Sequence, residues 1–193
     1  VLLAVTYSVQ ANSVLVLGDS LSAAYRMQQE QGWVMLLQQR LKSEGYAFQV
    51  HNASVSGDTT QNGIARLGSV LQQADADIVI IELGANDGLR GTPPFAIKRN
   101  LRRLIQLAQD SGSDVLLLGM QLPPNYGPYA AQFAALYSEV AGDEDVVLVP
   151  EFMQQVALDQ TLMSDDGIHP NAAGQPYLLE KVWPYLQPLL DDQ

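Results

Sequence analysis

Ser20, Asp166 and His169 are the residues of this 193-residue chain whose types and spacing could do chemistry together. A serine hydroxyl becomes an effective nucleophile when a base takes its proton, and an imidazole serves as that base when a carboxylate fixes its tautomer. Asp166 precedes His169 by three residues, a loop short enough to bring the carboxylate to Nδ1 and leave Nε2 free. Pro170 restricts His169 to extended backbone and so steadies the ring. The second histidine, His51, falls inside a β-rich stretch and reads as structural or partly exposed. Taken singly, Gly18-Asp19-Ser20 also fits an ordinary strand-to-helix turn, and the loop aspartates fit helix caps.

A serine that attacks a carbonyl needs N–H donors aimed at the oxyanion it creates. Gly57 lacks a side chain and can bring its backbone N–H close to a substrate. Asn86 carries an amide that can donate, and the N–H of Ser20 itself makes a third donor. Glycine and asparagine are common turn formers, so each position alone is equally well read as turn chemistry.

These residues need a scaffold that brings them to one edge. Val14 to Leu17 is an apolar run closed by a glycine, which predicts a buried strand. Ser20 then lies just past a strand's carboxyl end, where open α/β sheets bind ligands. Trp33, Leu36, Leu37 and Leu41 recur at helical spacing within 31–44, and Gly45 closes that helix. Residues 46–52 alternate as a second strand and lead into the turn bearing Gly57. Asp58 or Thr59 can cap the next helix, which carries Ile64, Leu67, Leu71 and Ala74 on one face. Residues 77–83 form the most strand-like run, central in a parallel sheet, and deliver Asn86 in a following turn. Thr92-Pro93 predicts a helix start, with Ile97, Leu101, Leu104, Ile105 and Ala108 on one stripe. A strand at 115–118, a proline-rich loop at 121–128, a helix at 130–141 and a strand at 146–149 follow. The Asp166–His169 loop then precedes a last helix over 173–190. Alternating strands and helices indicate a parallel sheet covered on both faces, in one domain.

The totals exclude several partners. A formal charge of −11 argues against nucleic acid, and Lys98-Arg99 with Arg102-Arg103 reads as the solvated face of a helix. The absence of cysteine removes a disulfide scaffold and a thiolate nucleophile. No apolar run is long enough for stable membrane insertion. Residues 1–11 resemble the end of a signal peptide, with small residues around Val9-Gln10-Ala11 at a cleavage site. The expectation is an exported protein, periplasmic or secreted, with its domain at 12–193.

In chain order, Gly18-Asp19-Ser20-Leu21, Gly57, Gly84-x-Asn86-Asp87 and Asp166-x-x-His169 resemble the four blocks of the SGNH (GDSL) hydrolase superfamily. The flanking residues, such as Glu82-Leu83-Gly84-Ala85-Asn86-Asp87-Gly88-Leu89-Arg90-Gly91 and Asp166-Gly167-Ile168-His169-Pro170-Asn171, are similar to the bacterial thioesterase I, protease I and lysophospholipase L1 group with its arylesterase relatives. The likeness runs over about residues 13–190. It implies a three-layer α/β/α sandwich around a five-stranded parallel sheet, flavodoxin-like in strand order. It implies Ser20 as nucleophile, His169 as base, Asp166 as its orienter, and Ser20, Gly57 and Asn86 as the oxyanion hole. The implied reaction is hydrolysis of carboxylic esters or thioesters (acyl or aryl esters, acyl thioesters, lysophospholipids) through an acyl-enzyme. No step requires a metal or an organic cofactor, and a monomer acting on a small molecule is expected.

Two departures stand out: Ala24 occupies a position where glycine is common, and Ala85 another. The resemblance also implies a mobile loop at 88–93 beside the acyl site, with the 123–128 loop opposite. Leu89, Pro93, Leu122, Pro123 and Tyr126 fall on loops expected to border the cleft and give it an apolar side. A carbohydrate O-acetylesterase of the same superfamily and a non-catalytic flavodoxin-like binding module are the alternatives. Gly-x-Ser-x-Gly, Gly-x-Gly-x-x-Gly and Gly-x-x-x-x-Gly-Lys-Ser/Thr are all absent.

Overall fold

The computed structural model describes residues 12–193, so the leader-like stretch at 1–11 lies outside the described residues. Strands β1 (Asn12–Gly18), β2 (Phe48–Asn52), β3 (Ile78–Glu82), β4 (Asp114–Leu118) and β5 (Val147–Val149) form one sheet in the order β2-β1-β3-β4-β5. All four neighbouring pairs are parallel. Every residue of β3 is buried, as are Val14 to Leu17 of β1, because helices cover both faces of a parallel sheet.

Helices α1 (Trp33–Glu44) and α7 (Gln175–Asp191) pack together on one face. On the other face, α4 (Pro94–Asp110) packs between α2 (Thr60–Ala74) and α5 (Pro128–Glu144). Two short helices complete the set: α3 (Ala85–Leu89), which follows β3, and α6 (Gln154–Ala157), which precedes the Asp166–His169 loop. The result is a three-layer α/β/α sandwich with the five-stranded parallel sheet in the middle. No helix among the described residues is long and apolar enough to cross a membrane.

Several boundaries differ from the sequence expectation. The first helix begins at Trp33, since residues 29–31 form a 3₁₀ turn and Gly32 is extended. Of the two caps expected for α2, Thr59 is the one used, accepting from the Asn62 N–H. Helix α4 starts at Pro94 with Pro93 as its cap, one residue later than the expected Thr92-Pro93 start. A residue before proline is pushed to extended backbone, and Pro93 has ψ 133°. Thr92 is held outside the helix by bonds to Asp87 and Tyr129.

The proline-rich stretch ends by starting α5, with Pro128 in its first turn, and that helix continues to Glu144. The last helix holds Pro184 and Pro188 on its exposed side while Leu178, Val182, Leu186 and Leu190 face the core. The expected mobile loop at 88–93 begins inside α3. Its remainder is closed by bonds from the N–H groups of Arg90, Gly91 and Thr92 to Asn86, Gly88 and Asp87.

Candidate active site

Ser20 sits in the turn after β1, and the parallel register aligns its neighbour Gly18 with Glu82 at the end of β3. Its Oγ lies 2.9 Å from His169 Nε2, across 149 residues of sequence. His169 Nδ1 lies 2.8 Å from Asp166 Oδ2. The other carboxylate oxygen accepts the backbone N–H groups of Ile168 and His169, each at 3.0 Å. Those backbone donors, with the imidazole, hold the Asp166 carboxyl well below its ordinary range. It is therefore an anion in place to orient the ring. The loop is fixed from below by the Ser164 N–H bond to the His169 carbonyl and by a bridge pairing Met163 with Pro170.

The structure brings Gly57 and Asn86 toward the same edge from two other strand ends. Neither the Ser20 nor the Gly57 N–H donates a hydrogen bond to any described residue. Gly57 has φ +85°, a left-handed conformation that suits glycine. Asn86 lies in α3, not in a loop as the sequence suggested. Its Nδ2 donates to Asp19 Oδ2 at 2.8 Å and to the Asp58 carbonyl at 3.0 Å. Helix α3 is locked by the next residue: Asp87 accepts the Thr60 N–H and hydroxyl, both at 2.8 Å, and Asn100 donates to that hydroxyl at 3.0 Å. Asp19 is almost fully buried, accepts the Leu21 N–H at 3.0 Å, and has its pKa raised to about 6, chiefly by burial.

Several supporting residues carried no signal in the sequence. The Tyr25 ring lies 4.5 Å from that of His169, and the Arg26 guanidinium stands 5.2 Å over Tyr25. Ala24 and Arg26, on either side of Tyr25, both have positive φ, at 53° and 58°. Arg66 of α2 ties three segments together: its Nε meets Asp58 at 2.7 Å, and its terminal nitrogens bond the carbonyls of Ala53 and Gly18.

Among the five residues expected to line a cleft, Leu89, Pro93 and Pro123 are exposed and Tyr126 is half-buried against Tyr129. Leu122 is instead buried, packed under Gly88. Val55, which bonds to the Gly18 carbonyl through its N–H, and Ile168, beside His169, are exposed apolar residues that the sequence reading passed over. Among the described residues no group of three or more His, Asp or Glu side chains is placed to hold a metal ion.

Comparison with known proteins follows the same lines. Residues 16–176 match the model of the GDSL-like Lipase/Acylhydrolase family. The chain is 51% identical over 190 residues to "Esterase TesA" of Pseudomonas aeruginosa, covering 98% of this chain and 94% of that protein. A crystal structure of a TesA superposes with a TM-score of 0.90 at 52% identity, covering 92% of this chain and 99% of the other. The chain is also 46% identical over 173 residues to "Arylesterase" of Vibrio mimicus, with 89% and 86% of the two chains covered. It is 43% identical over 182 residues to "Thioesterase 1/protease 1/lysophospholipase L1" of Escherichia coli strain K12, with 94% and 86% covered.

Proposed function

This chain belongs to the GDSL-like lipase/acylhydrolase family and is a serine hydrolase of carboxylic esters, in which we propose that Ser20, His169 and Asp166 carry the reaction. The observation that carries the assignment is the unbroken hydrogen-bonded path from Asp166 through His169 to Ser20, at 2.8 and 2.9 Å. As Ser20 Oγ attacks the acyl carbon, His169 Nε2 takes its proton, and the Asp166 carboxylate keeps the proton on Nδ1 and stabilises the imidazolium. The oxyanion faces the unpaired N–H groups of Ser20 and Gly57 and the Asn86 amide. His169 then protonates the departing alkoxide or thiolate, leaving an acyl-enzyme, and water repeats the cycle.

The substrates are small esters and thioesters with an apolar acyl or aryl part. Val55, Leu89 and Ile168 support this: they are 48%, 38% and 53% exposed, each beside a different block of the site. Each exposed apolar side chain gains by covering an apolar group of the substrate. A location outside the cytoplasm is part of the same proposal, supported by the leader-like composition of residues 1–11. The test is a chain-length series of p-nitrophenyl esters on wild type and S20A. Wild type should prefer butyrate or longer esters to acetate, and S20A should show only background hydrolysis. Substantial S20A turnover would remove Ser20 from the mechanism, and a preference for acetate would remove the acyl-chain reading.

A further inference from the structure

A second buried carboxyl stands behind the nucleophile turn, and the reaction above leaves it unused. Glu82 is fully buried, at the last position of β3. Its Oε2 accepts the Asp19 N–H at 3.2 Å and the Ser22 hydroxyl at 2.8 Å. Trp33 Nε1 donates in turn to Ser22 Oγ at 3.3 Å, so the cluster is anchored to α1. Glu82 Oε1 has no hydrogen-bond partner among the described residues, and none of their cationic side chains forms an ion pair with Glu82.

A buried carboxylate with one bare oxygen and no cation is strongly disfavoured. Burial first, and then the neighbouring Asp19 carboxyl, hold the proton of Glu82 well above the ordinary carboxyl range. Other titratable groups around the cluster are Asp58 and His169, which act on Asp19, and Tyr137, whose hydroxyl donates to the Leu83 carbonyl. Asp87 acts on Tyr137, and Arg66 reaches the cluster only at the Gly18 carbonyl. Gly18 makes room for the contact, since a Cβ there would stand 2.7 Å from Glu82 Oε2.

We propose that Glu82 is a positioning residue for the oxyanion donors, an uncharged carboxyl that fixes the Asp19 backbone and, through the Asp19 side chain, the Asn86 amide. It supplies two acceptor bonds to the turn that carries the nucleophile. Being neutral, it adds no negative charge of its own beside the one that forms on the substrate. The inference rests on the assignment of the Ser20 N–H and Asn86 as oxyanion donors.

The test uses the full chain and p-nitrophenyl butyrate. E82Q keeps the acceptor oxygen and the neutral state, so its kcat should stay within about threefold of wild type. E82A removes the acceptor, and its kcat should fall roughly 10- to 100-fold with KM within about twofold. At mildly alkaline pH, the infrared difference between wild type and E82Q should contain the carbonyl band of a protonated carboxylic acid. Should E82A fail to fold, the E82Q kinetics and the infrared band still decide. Wild-type kcat in E82A, a loss in E82Q as large as in E82A, or a carboxylate band alone each overturns the proposal. If the Glu82 variants are silent while S20A is dead, only the positioning role falls; if N86A keeps its activity, the oxyanion assignment itself fails.

Discussion

Asn86 Nδ2 donates to Asp19 Oδ2 at 2.8 Å and to the Asp58 carbonyl at 3.0 Å, so both of its protons are engaged before any substrate arrives. An oxyanion must take over the proton now given to Asp58, while the bond to Asp19 keeps the amide aimed. Asn86→Ala should therefore lower kcat by roughly two to three orders of magnitude, while the buried Asp19 Oδ2 loses this donor. Ester hydrolysis by the purified variant checks this, and retention of most activity would exclude Asn86 from the oxyanion site.

The same Asp19 predicts an unusual dependence of stability on pH. Its folded pKa is raised from 3.8 to about 6, so the native chain holds a proton that the unfolded chain has released. Stability from this group is greatest below about pH 4 and declines as pH rises to about 6. Asp166 acts in the opposite sense, because its lowered pKa gives stability above the ordinary Asp value that is lost as pH falls below it. Asp19→Asn should flatten the decline, because the amide does not titrate, while either the Leu21 N–H or the Asn86 amide loses its acceptor. Urea unfolding across this pH range gives the measurement, and parallel curves for the two proteins would contradict it.

Much of this arrangement was legible in the sequence for physical reasons. Strands buried on both faces must be apolar runs, which made Val14–Leu17 and Ile78–Ile81 plain. Ser20, Gly57, Asn86 and His169 follow strand ends or stand near the carboxyl end, where a parallel sheet collects its loops. Arg66, Glu82 and Tyr25 escaped because their meaning comes from partners far along the chain. Glu82 reads as an ordinary strand end until Gly18 and Asp19 are laid beside it. The start of α4 slipped because Pro93-Pro94 offers two helix-start prolines, and Pro93, standing before a proline, is itself held extended and leaves the first helical position to Pro94.

Arg66 joins the two turns that hold Ser20 and Gly57. Its guanidinium meets Asp58 and the carbonyls of Ala53 and Gly18, a forked set that an ammonium cannot reproduce. Arg66→Ala should cost about 2–3 kcal/mol and leave Asp58 without its cation, and Arg66→Lys should recover less than half of that. Equal stability of the lysine variant and wild type in chemical denaturation would overturn the account of the fork.

Ala24 offers a stabilising change. Its φ of 53° lies in the left-handed region that glycine adopts without a Cβ penalty. Strain relief exceeds the added freedom of the unfolded chain, so Ala24→Gly should raise stability by about 0.5 kcal/mol. A drop in the denaturation midpoint would contradict it.

Labelling with a fluorophosphonate followed by peptide mapping addresses the catalytic assignment most directly. One adduct should form, on Ser20, absent in Ser20→Ala and strongly slowed in His169→Ala. An adduct on another residue, or equal labelling of the Ser20→Ala protein, would contradict the assignment of Ser20 as the nucleophile.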